Sequence, residues 1–345
     1  MSQVARMMMA FRDYNSYDGV DSAVANLGFD MKIVYVTGCL GFIGSHFTRA
    51  ALKKGWKVMG VDAMSYASNP NLLSEFQKFD NFKFLRTDIE DITYMCDCDY
   101  VVNFAAESHV DNSIANSDSF LSSNILGVKN LLELIKRKRS GSRPIFLQIS
   151  TDEVYGDSAE SGAHAETDML KPSNPYSASK ASADMLVTAW ARTYGLDYLI
   201  VRPTNNYGIG QYPEKLIPAS VKNLQRGKKI SLHNKGTPIR NWLHVEDTVA
   251  AIMLLIKQDK KNEIYNVAGG FEQSNLNTVV RILYAYFNLS VDFDIYVDLT
   301  TVREGQDMKY ALNDRKLKNL GWEPKFVFDV EIQNIVDWHK THFIW

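Results

Sequence analysis

The fold of this chain is decided by residues 32–44, which read KIVYVTGCLGFIG. The first six residues form a short, mostly apolar run, which is typical of a strand buried on both faces of a parallel sheet. Three glycines follow, and the helical pattern of residues 42–54 begins among them. Strand, glycine-rich turn and helix in this order are typical of a dinucleotide site, because the helix amino terminus offers amide donors to phosphates.

Each residue of the turn has an expected role. Gly38 is expected to make the tight turn, and Gly41 is expected to let the backbone approach a pyrophosphate. Gly44 is expected to allow close packing of the helix against the strand. Phe42 and Ile43 lie between the last two glycines and complete the predicted cofactor-binding segment.

An acidic residue indicates which dinucleotide is bound. Asp62 ends the second predicted strand, residues 57–61, about twenty residues beyond the glycine turn. A carboxylate at this position accepts hydrogen bonds from the adenosine ribose hydroxyls and repels a 2′-phosphate, so NAD is predicted and not NADP. Asp88 ends the third predicted strand, residues 82–85, and Ile89 is expected to flank the adenine.

Strands and helices alternate up to Pro203. Further strands are predicted at residues 100–104, 144–149 and 198–201, and long helices at residues 119–139 and 174–194. This alternation predicts an α/β fold with a Rossmann-type doubly wound parallel sheet. Beyond it the elements are shorter and rich in proline, glycine and aromatic residues, which indicates a smaller, discontinuous C-terminal substrate domain.

Three parts of the chain are therefore expected. Residues 1–30 lack periodicity and the apolar core of a signal peptide, and are predicted to be an extension without catalytic function. Residues 31–203 are predicted to form the NAD-binding domain. Residues 204–345 are predicted to form mainly the substrate-binding domain, with some segments that return to the first domain.

Composition excludes several function classes. The net charge of −2 provides no field that would attract nucleic acid or a membrane surface. No apolar run approaches the length of a membrane span. The three cysteines are too few for a disulfide framework and predict a reducing, cytoplasmic setting. Neither the cysteines nor the scattered histidines have metal-ligand spacing, so no metal is expected.

A tyrosine and a lysine indicate chemistry at the cofactor. Tyr176 and Lys180 are four residues apart on the second long helix and share one face. A lysine in that place can favour the phenolate, which lowers the pKa of the tyrosine, and its ammonium can reach a cofactor ribose. A tyrosine so paired can act as a base near neutral pH. Alone, such a pair is usually part of an ordinary helix surface. Because this pair follows a dinucleotide-binding turn, a catalytic role is favoured.

The glycine turn together with Tyr176 and Lys180 resembles the extended short-chain dehydrogenase/reductase superfamily. The resemblance implies a Rossmann domain, a smaller nucleotide-sugar domain and a nucleotide-sugar substrate, and it leaves epimerases, dehydratases, reductases and decarboxylases open. Thr151, Asp152 and Glu153 follow the strand at residues 144–149, and this triplet resembles the nucleotide-diphosphate-glucose 4,6-dehydratases. In isolation, the two carboxyls could equally be a solvated pair or a helix cap.

The resemblance implies a lyase that removes water from a hexose. Tyr176 would take the O4 proton while the C4 hydride moves to NAD, and Thr151 would hold O4. Glu153 would remove the C5 proton, and protonated Asp152 would assist loss of the C6 hydroxyl. The hydride would then return to C6 while C5 is reprotonated. The product would be a 4-keto-6-deoxy sugar nucleotide for deoxysugar biosynthesis, for example of rhamnose.

Further segments are similar to those of this family and imply the remaining ligand contacts. NAD contacts are implied for Ala105, Ala106 and Asn206, besides Tyr176 and Lys180. Substrate contacts are implied for Ser108, Thr151, Asn205, Lys215, Leu216, Arg240, Asn275 and Arg303. Gln306 stands where the family often has a histidine. Asn112 resembles UDP-glucose enzymes and Glu107-Ser108 resembles dTDP-glucose enzymes, so both nucleotides remain open.

Two rival functions and an oligomeric state complete the sequence analysis. A 4-epimerase or a UDP-glucuronate decarboxylase would share the fold, but an epimerase does not need the two carboxyls. A non-catalytic NAD-binding regulator would be expected to have lost Tyr176, Lys180 or the triplet. The two long helices carry apolar residues beyond one stripe, and the equivalent helices of relatives form a four-helix interface, which predicts a homodimer.

Overall fold

The computed structural model describes residues 31–158, 162–303 and 305–342. The predicted N-terminal extension, residues 1–30, lies outside the described residues. A seven-stranded sheet has the order β10-β6-β5-β4-β1-β2-β3, and every neighbouring pair is parallel. Its strands are β1 (Ile33–Thr37), β2 (Lys57–Asp62), β3 (Phe82–Arg86), β4 (Tyr100–Asn103), β5 (Ile145–Ile149), β6 (Tyr198–Pro203) and β10 (Glu263–Val267).

The strand order makes this sheet doubly wound. Successive strands run from β1 outward to β3, and the chain then returns to place β4 on the other side of β1. Ligands bind in such sheets at the carboxyl ends of the strands where the order reverses. The predicted fold class is confirmed, and the reversal point beside β1 is the place where the glycine turn begins.

Helices cover both faces of the sheet. Helices Phe42–Lys53 and Val245–Lys257 pack on one face, with Phe47 and Ile252 in the shared apolar core. Helices Val128–Arg137 and Pro175–Tyr194 pack on the other. The strands are mostly apolar because both of their faces are buried.

The helix predicted at residues 119–139 is not regular. It consists of an α-helical turn, Asp118–Leu121, a π-helical segment, Ser122–Gly127, and an α-helix, Val128–Arg137. A side chain at Gly127 would lie 2.5 Å from atoms of Ile89, so the glycine lets the segment after β3 approach this helix. A regular apolar spacing does not reveal such an insertion.

The C-terminal residues build a separate core and also return to the large sheet. Two small sheets contain β7 (Asn205–Tyr207), β9 (Ile239–His244) and β11 (Phe271–Ser274), and β8 (Ile230–Ser231) and β12 (Val297–Asp298). Helices Leu216–Gln225, Asn275–Phe287 and Phe328–Thr341 pack together beside them. The strand at Glu263–Val267 belongs to the large sheet, while the domain division at residue 203 stays a prediction.

Short helices complete the described chain. They are Asn71–Phe76, Val110–Ala115, Asp152–Tyr155, His233–Gly236, Phe293–Tyr296 and Arg315–Lys318. Among the helices that the structure describes, none is both long enough and apolar enough to cross a membrane.

Candidate active site

A cavity of about 390 Å³ opens at the carboxyl ends of the central strands. It brings together most of the residues that the sequence analysis singled out. The predicted residues that line it are Gly38, Gly41, Phe42, Ile43, Gly44, Asp62, Asp88, Ile89, Ala105, Ala106, Ser108, Thr151, Asp152, Glu153, Tyr176, Lys180, Asn205, Asn206 and Lys215. Four predicted substrate residues, Leu216, Arg240, Asn275 and Arg303, do not line it.

The glycine turn is held at one end of the cavity by close backbone contacts. Gly38 has a φ of +65°, and a Cβ there would lie 2.7 Å from the backbone nitrogen of Ala105. A Cβ on Gly44 would lie 2.0 Å from the carbonyl oxygen of Gly38. Gly41 is less restricted, since its Cβ would meet the same oxygen at 3.3 Å. The turn therefore requires glycine at two positions for its own geometry and leaves Gly41 facing the cavity.

Asp62 is fixed beside this turn before any ligand binds. One carboxylate oxygen, Oδ2, accepts from the backbone nitrogen of Leu40 at 2.9 Å. The other, Oδ1, accepts from the nitrogen of Met64 at 2.8 Å and from the hydroxyl of Ser68 at 2.6 Å. These three donors hold the carboxylate in one orientation, as the recognition of a ribose diol requires.

The triplet follows β5 and forms the beginning of a short helical turn. Thr151 caps this turn, because its hydroxyl accepts from the backbone nitrogen of Glu153 at 3.3 Å. The same hydroxyl donates to Oδ1 of Asp152 at 3.1 Å. The second oxygen of Asp152, Oδ2, is buried and has no hydrogen-bond partner in the described structure. All three residues of the triplet line the cavity, and this oxygen is the one that protein groups leave unpaired on Asp152.

The two adjacent carboxyls have different electrostatic surroundings. Burial, and then the charge of Glu153, raises the pKa of Asp152 to about 7. Burial also raises the pKa of Glu153. The positive charges of Arg240 and Lys215 and a hydrogen bond from Asn174 reduce this rise without reversing it. Asp152 can therefore hold a proton near neutral pH, while Glu153 has cations that favour its ionised form.

Tyr176 and Lys180 occupy the same buried helix face. The amino group of Lys180 donates to the carbonyl oxygen of Ile149 at 2.6 Å. Burial lowers the pKa of Lys180 to about 8, although the charge of Asp184 opposes that shift. Burial, followed by the charge of Glu153, raises the pKa of Tyr176. The charges of Asp152 and Asp184 add to this rise, while a hydrogen bond with Thr151 opposes it. The expected effect of Lys180 on this tyrosine stays a prediction.

Lys215 and Arg240 both act on Glu153 through their charge, but only Lys215 lines the cavity. Lys215 donates to the carbonyl oxygen of Ser108 at 2.8 Å and lines the cavity. Arg240 is buried, and its guanidinium lies 4.4 Å from the ring centre of Tyr310. The hydroxyl of Tyr310 is 3.4 Å from Oε2 of Glu153. Arg240 thus stands behind the triplet, where its charge acts on Glu153.

The other three predicted substrate residues lie further out. Arg303 forms an ion pair with Asp111 at 2.6 Å, and its Nη1 donates to Gln306 at 3.3 Å. Asn275 is the first residue of its helix and donates its backbone nitrogen to Pro238. Leu216 begins the helix Leu216–Gln225 and packs on the C-terminal core.

Some residues near the site were missed by the sequence analysis. Asn174 caps the helix that carries Tyr176 and also bonds Glu153. Its position before a helical pattern was a recognisable cap signal, but nothing in the sequence connects it with Glu153. Tyr310 lies in a segment without secondary structure, and no local pattern places it beside the triplet. No described group of histidine, cysteine, aspartate or glutamate side chains could hold a metal ion.

Comparison with known proteins places this geometry in a family. Residues 35–335 match the family described as GDP-mannose 4,6 dehydratase. The chain belongs to this family. The Haloferax volcanii low-salt glycan biosynthesis protein Agl12 is 39% identical, with 89% of this chain and 98% of that protein covered. A probable dTDP-glucose 4,6-dehydratase of Sinorhizobium fredii is 38% identical, with coverages of 90% and 94%.

A solved structure agrees with this assignment. DesIV, a dTDP-glucose 4,6-dehydratase of Streptomyces venezuelae crystallised with NAD, is 35% identical and superposes with a TM-score of 0.83. The superposition covers 90% of this chain and 97% of DesIV. The resemblance inferred from the glycine turn, Tyr176, Lys180 and the triplet is thereby confirmed at the level of the family and the fold.

Proposed function

We propose that this chain is an NAD-dependent nucleotide-diphosphate-glucose 4,6-dehydratase, a lyase that acts on dTDP-glucose or UDP-glucose. The observation that carries the proposal is one cavity lined by the glycine turn, by Tyr176 and Lys180, and by Asp152 and Glu153. The glycine turn would bind a dinucleotide. Tyr176, beside Lys180, would remove a hydroxyl proton, and the two carboxyls would eliminate water. The names of the two dTDP-glucose dehydratase relatives support the same activity.

The residues present fit an NAD molecule. The space beside Gly38 and Gly44 has no room for side chains, Gly41 faces the cavity, and Asp62 lies beside the turn with its carboxylate fixed. Phe42, Ile43, Asp88, Ile89, Ala105, Ala106 and Asn206 line the rest of this half. When bound there, NAD would accept a hydride from C4 of the sugar and later return it to C6.

The first step removes the proton of the sugar's O4. Tyr176 takes this proton, and the Thr151 hydroxyl beside it holds O4 in place. Since burial raises the pKa of Tyr176, its phenolate requires a nearby cation. Lys180, one helical turn away, is the cation on this face.

The second step eliminates water across C5 and C6. The 4-keto group acidifies the C5 proton, and Glu153 removes it, because Arg240 and Lys215 favour its ionised form. Asp152, whose pKa is raised to about 7, donates a proton to the departing hydroxyl through its unpartnered Oδ2. An epimerase needs no such acid and base at C5 and C6, so the pair favours the dehydratase over that rival.

The substrate side of the site is proposed on the same grounds. Ser108, Asn205 and Lys215 line the cavity and would contact the nucleotide sugar. Leu216, Arg240, Asn275 and Arg303 surround it without lining it, and we propose them as the nucleotide and diphosphate contacts. Two arginines and a lysine supply the charge that a diphosphate requires.

The test is incubation of the purified protein with dTDP-glucose and, separately, UDP-glucose, with no added cofactor. We expect the mass of one of the two to fall by one water, because NAD is regenerated in each turnover and stays bound. The faster substrate identifies the nucleotide. If neither loses water after NAD has been added, the assignment of Asp152 and Glu153 is wrong.

A homodimer is proposed as the working form. Leu121, Leu126 and Met185 lie on the two long helices that the sequence analysis identified and are 47%, 48% and 60% exposed. Three large apolar side chains on neighbouring helices form a patch that a second copy would cover. We also propose a cytoplasmic setting, since Cys39, Cys96 and Cys98 are all free.

A further inference from the structure

A buried ion pair lies behind the triplet and does not line the cavity. Asp184, on the helix Pro175–Tyr194, and Arg202, on β6, are 2% and 3% exposed. The Nε of Arg202 donates to Oδ2 of Asp184 at 2.9 Å. Taking two charges out of water is costly, and apolar residues of the same size would often stabilise a fold as well. The contacts of this pair point to a role in the reaction.

The pair is bonded to the residues on either side of the triplet. On the amino side, the hydroxyl of Ser150 donates to Oδ2 of Asp184 at 3.0 Å. On the carboxyl side, the Nη1 of Arg202 donates to the hydroxyl of Tyr155 at 2.7 Å, and the guanidinium lies 4.9 Å from the centre of the Tyr155 ring. One ion pair therefore holds both ends of the segment that presents Asp152 and Glu153.

The charge of the same carboxylate also acts on the lysine of the site. Tyr176, Lys180 and Asp184 follow one another at intervals of four residues, so they lie along one face of the helix, and all three are buried. The charge of Asp184 opposes the effect of burial, which lowers the pKa of Lys180 to about 8. The carboxyls of Asp152 and Glu153 face the phenol of Tyr176 from the triplet.

We propose that Asp184, paired with Arg202, is a positioning residue of the reaction: it keeps the ammonium of Lys180 charged beside Tyr176 and holds the triplet from both ends. The inference rests on the proposed function. In this proposal Asp184 influences both the oxidation step at C4, through Lys180, and the elimination step at C5 and C6, through the triplet.

The test is the pH dependence of C4 oxidation in the Asp184→Asn holoenzyme. The absorbance of reduced nicotinamide is followed after rapid mixing with the nucleotide sugar that the wild type converts. Without the neighbouring carboxylate, Lys180 loses its proton more easily, so the basic limb of the rate profile is expected to move down by about one pH unit. A purely structural role would lower the rate at every pH and leave the limb in place.

A second variant covers the case in which the first does not fold. Asp184→Asn leaves the guanidinium of Arg202 buried without an ion partner. The double variant Asp184→Asn/Arg202→Gln removes both charges, and the same movement of the basic limb is expected. An unmoved limb in either folded variant would overturn the proposal.

Hydrogen exchange supplies a measurement that needs no substrate. Ser150→Ala removes the tie to Asp184 and keeps the ion pair, so amide exchange is expected to accelerate more in residues 150–156 than in the buried strands. Unchanged exchange would overturn the positioning role even if the wild type converted neither nucleotide. Failure of the wild type to oxidise either sugar would contradict the proposed function instead.

Discussion

Asp152 and Glu153 are neighbours in the sequence, yet their surroundings differ in a way that supports the opposite tasks proposed for them. Asp152 is 3% exposed, and burial and the charge of Glu153 raise its pKa to about 7. Glu153 lies within the field of Arg240 and Lys215, which lower its pKa against the effect of burial. Both pKa values are raised, and Arg240 acts on both carboxyls, but Lys215 and Asn174 lower the pKa of Glu153 in addition, which favours Glu153 as the base of the proposed elimination.

Asp152→Asn is expected to separate oxidation from elimination. The variant cannot donate the proton, so elimination should slow by about a hundredfold or more, while C4 oxidation continues. Reduced nicotinamide should then accumulate on the enzyme, which its absorbance measures. Tyr176→Phe is the matched control, since it should prevent the absorbance from rising at all. Unchanged turnover of Asp152→Asn would show that another group is the acid.

The same carboxyl predicts a pH dependence. With the pKa of Asp152 at about 7, its acid form is present below that pH, and elimination should fall about tenfold for each pH unit well above it. The free energy of unfolding also falls as the pH rises, because the pKa of Asp152 in the folded protein lies above its unfolded value of about 3.9. The folded state loses stability as the pH rises through the folded pKa, relative to Asp152→Asn. Relative to the wild type, the melting temperature of the variant should therefore rise from about pH 4 to about pH 7 and level off above, and a constant difference would contradict the raised pKa.

Residue types at the site were predictable, but their partners were not. Tyr176, Lys180 and the triplet stand in recognisable motifs, because the chemistry requires those residue types at that spacing. The charges of Arg240 and Lys215 reach Glu153 from residues that are far away in the sequence. Such long-range fields depend on packing, and the carboxyls of Glu153, Asp152 and Asp184 that raise the pKa of Tyr176 could not be identified from the sequence for the same reason.

At the scale of elements, substitutions at two glycines of the turn are expected to differ in their effect on stability. Gly44→Ala places a Cβ 2.0 Å from the carbonyl oxygen of Gly38, so the helix must move and the variant should lose stability by about 1–3 kcal/mol, together with bound NAD. Gly41→Ala has 3.3 Å at the same oxygen, so it should lose NAD with little loss of stability. Melting temperature and copurified NAD measure the two effects, and equal stability of both variants would contradict this account.

The cap of the helix Pro175–Tyr194 gives a second test at this scale. The side chain of Asn174 accepts from the backbone nitrogen of Ser177 at 2.9 Å and also bonds Glu153. Asn174→Ala should cost about 1 kcal/mol of stability. Asn174→Asp should keep the cap but slow elimination, because its charge raises the pKa of Glu153. Equal activity of wild type and Asn174→Asp would show that Asn174 does not influence the base.

Elements were predicted best where they are regular. The strands β1 to β6 and the helices Phe42–Lys53 and Pro175–Tyr194 agree with their apolar patterns to within a few residues. The π-helical segment Ser122–Gly127 was missed, because it depends on contact with Ile89. The strand Glu263–Val267 joins the sheet from a region of mixed pattern, and its partner β6 lies about sixty residues earlier.

At the scale of the whole molecule, the exposed apolar patch predicts association. Leu126→Glu and Met185→Glu would bury unpaired carboxylates in the proposed dimer, which should weaken it by about 2 kcal/mol or more for each variant. Light scattering at micromolar concentration measures the change from dimer to monomer. Val330→Glu is the control, since Val330 is 64% exposed on a different helix. A monomeric wild type would contradict the dimer.

The central claim is that one cavity oxidises C4, eliminates water and reduces C6 with a single retained NAD. The most direct test uses dTDP-glucose and UDP-glucose that carry deuterium at C4, in ordinary water and without added cofactor. The hydride that leaves C4 returns to C6, so the account predicts that the deuterium of one substrate appears in the C6 methyl group of the 4-keto-6-deoxy product. Loss of the deuterium to solvent, its return to C4, or no reaction with either substrate would contradict the account.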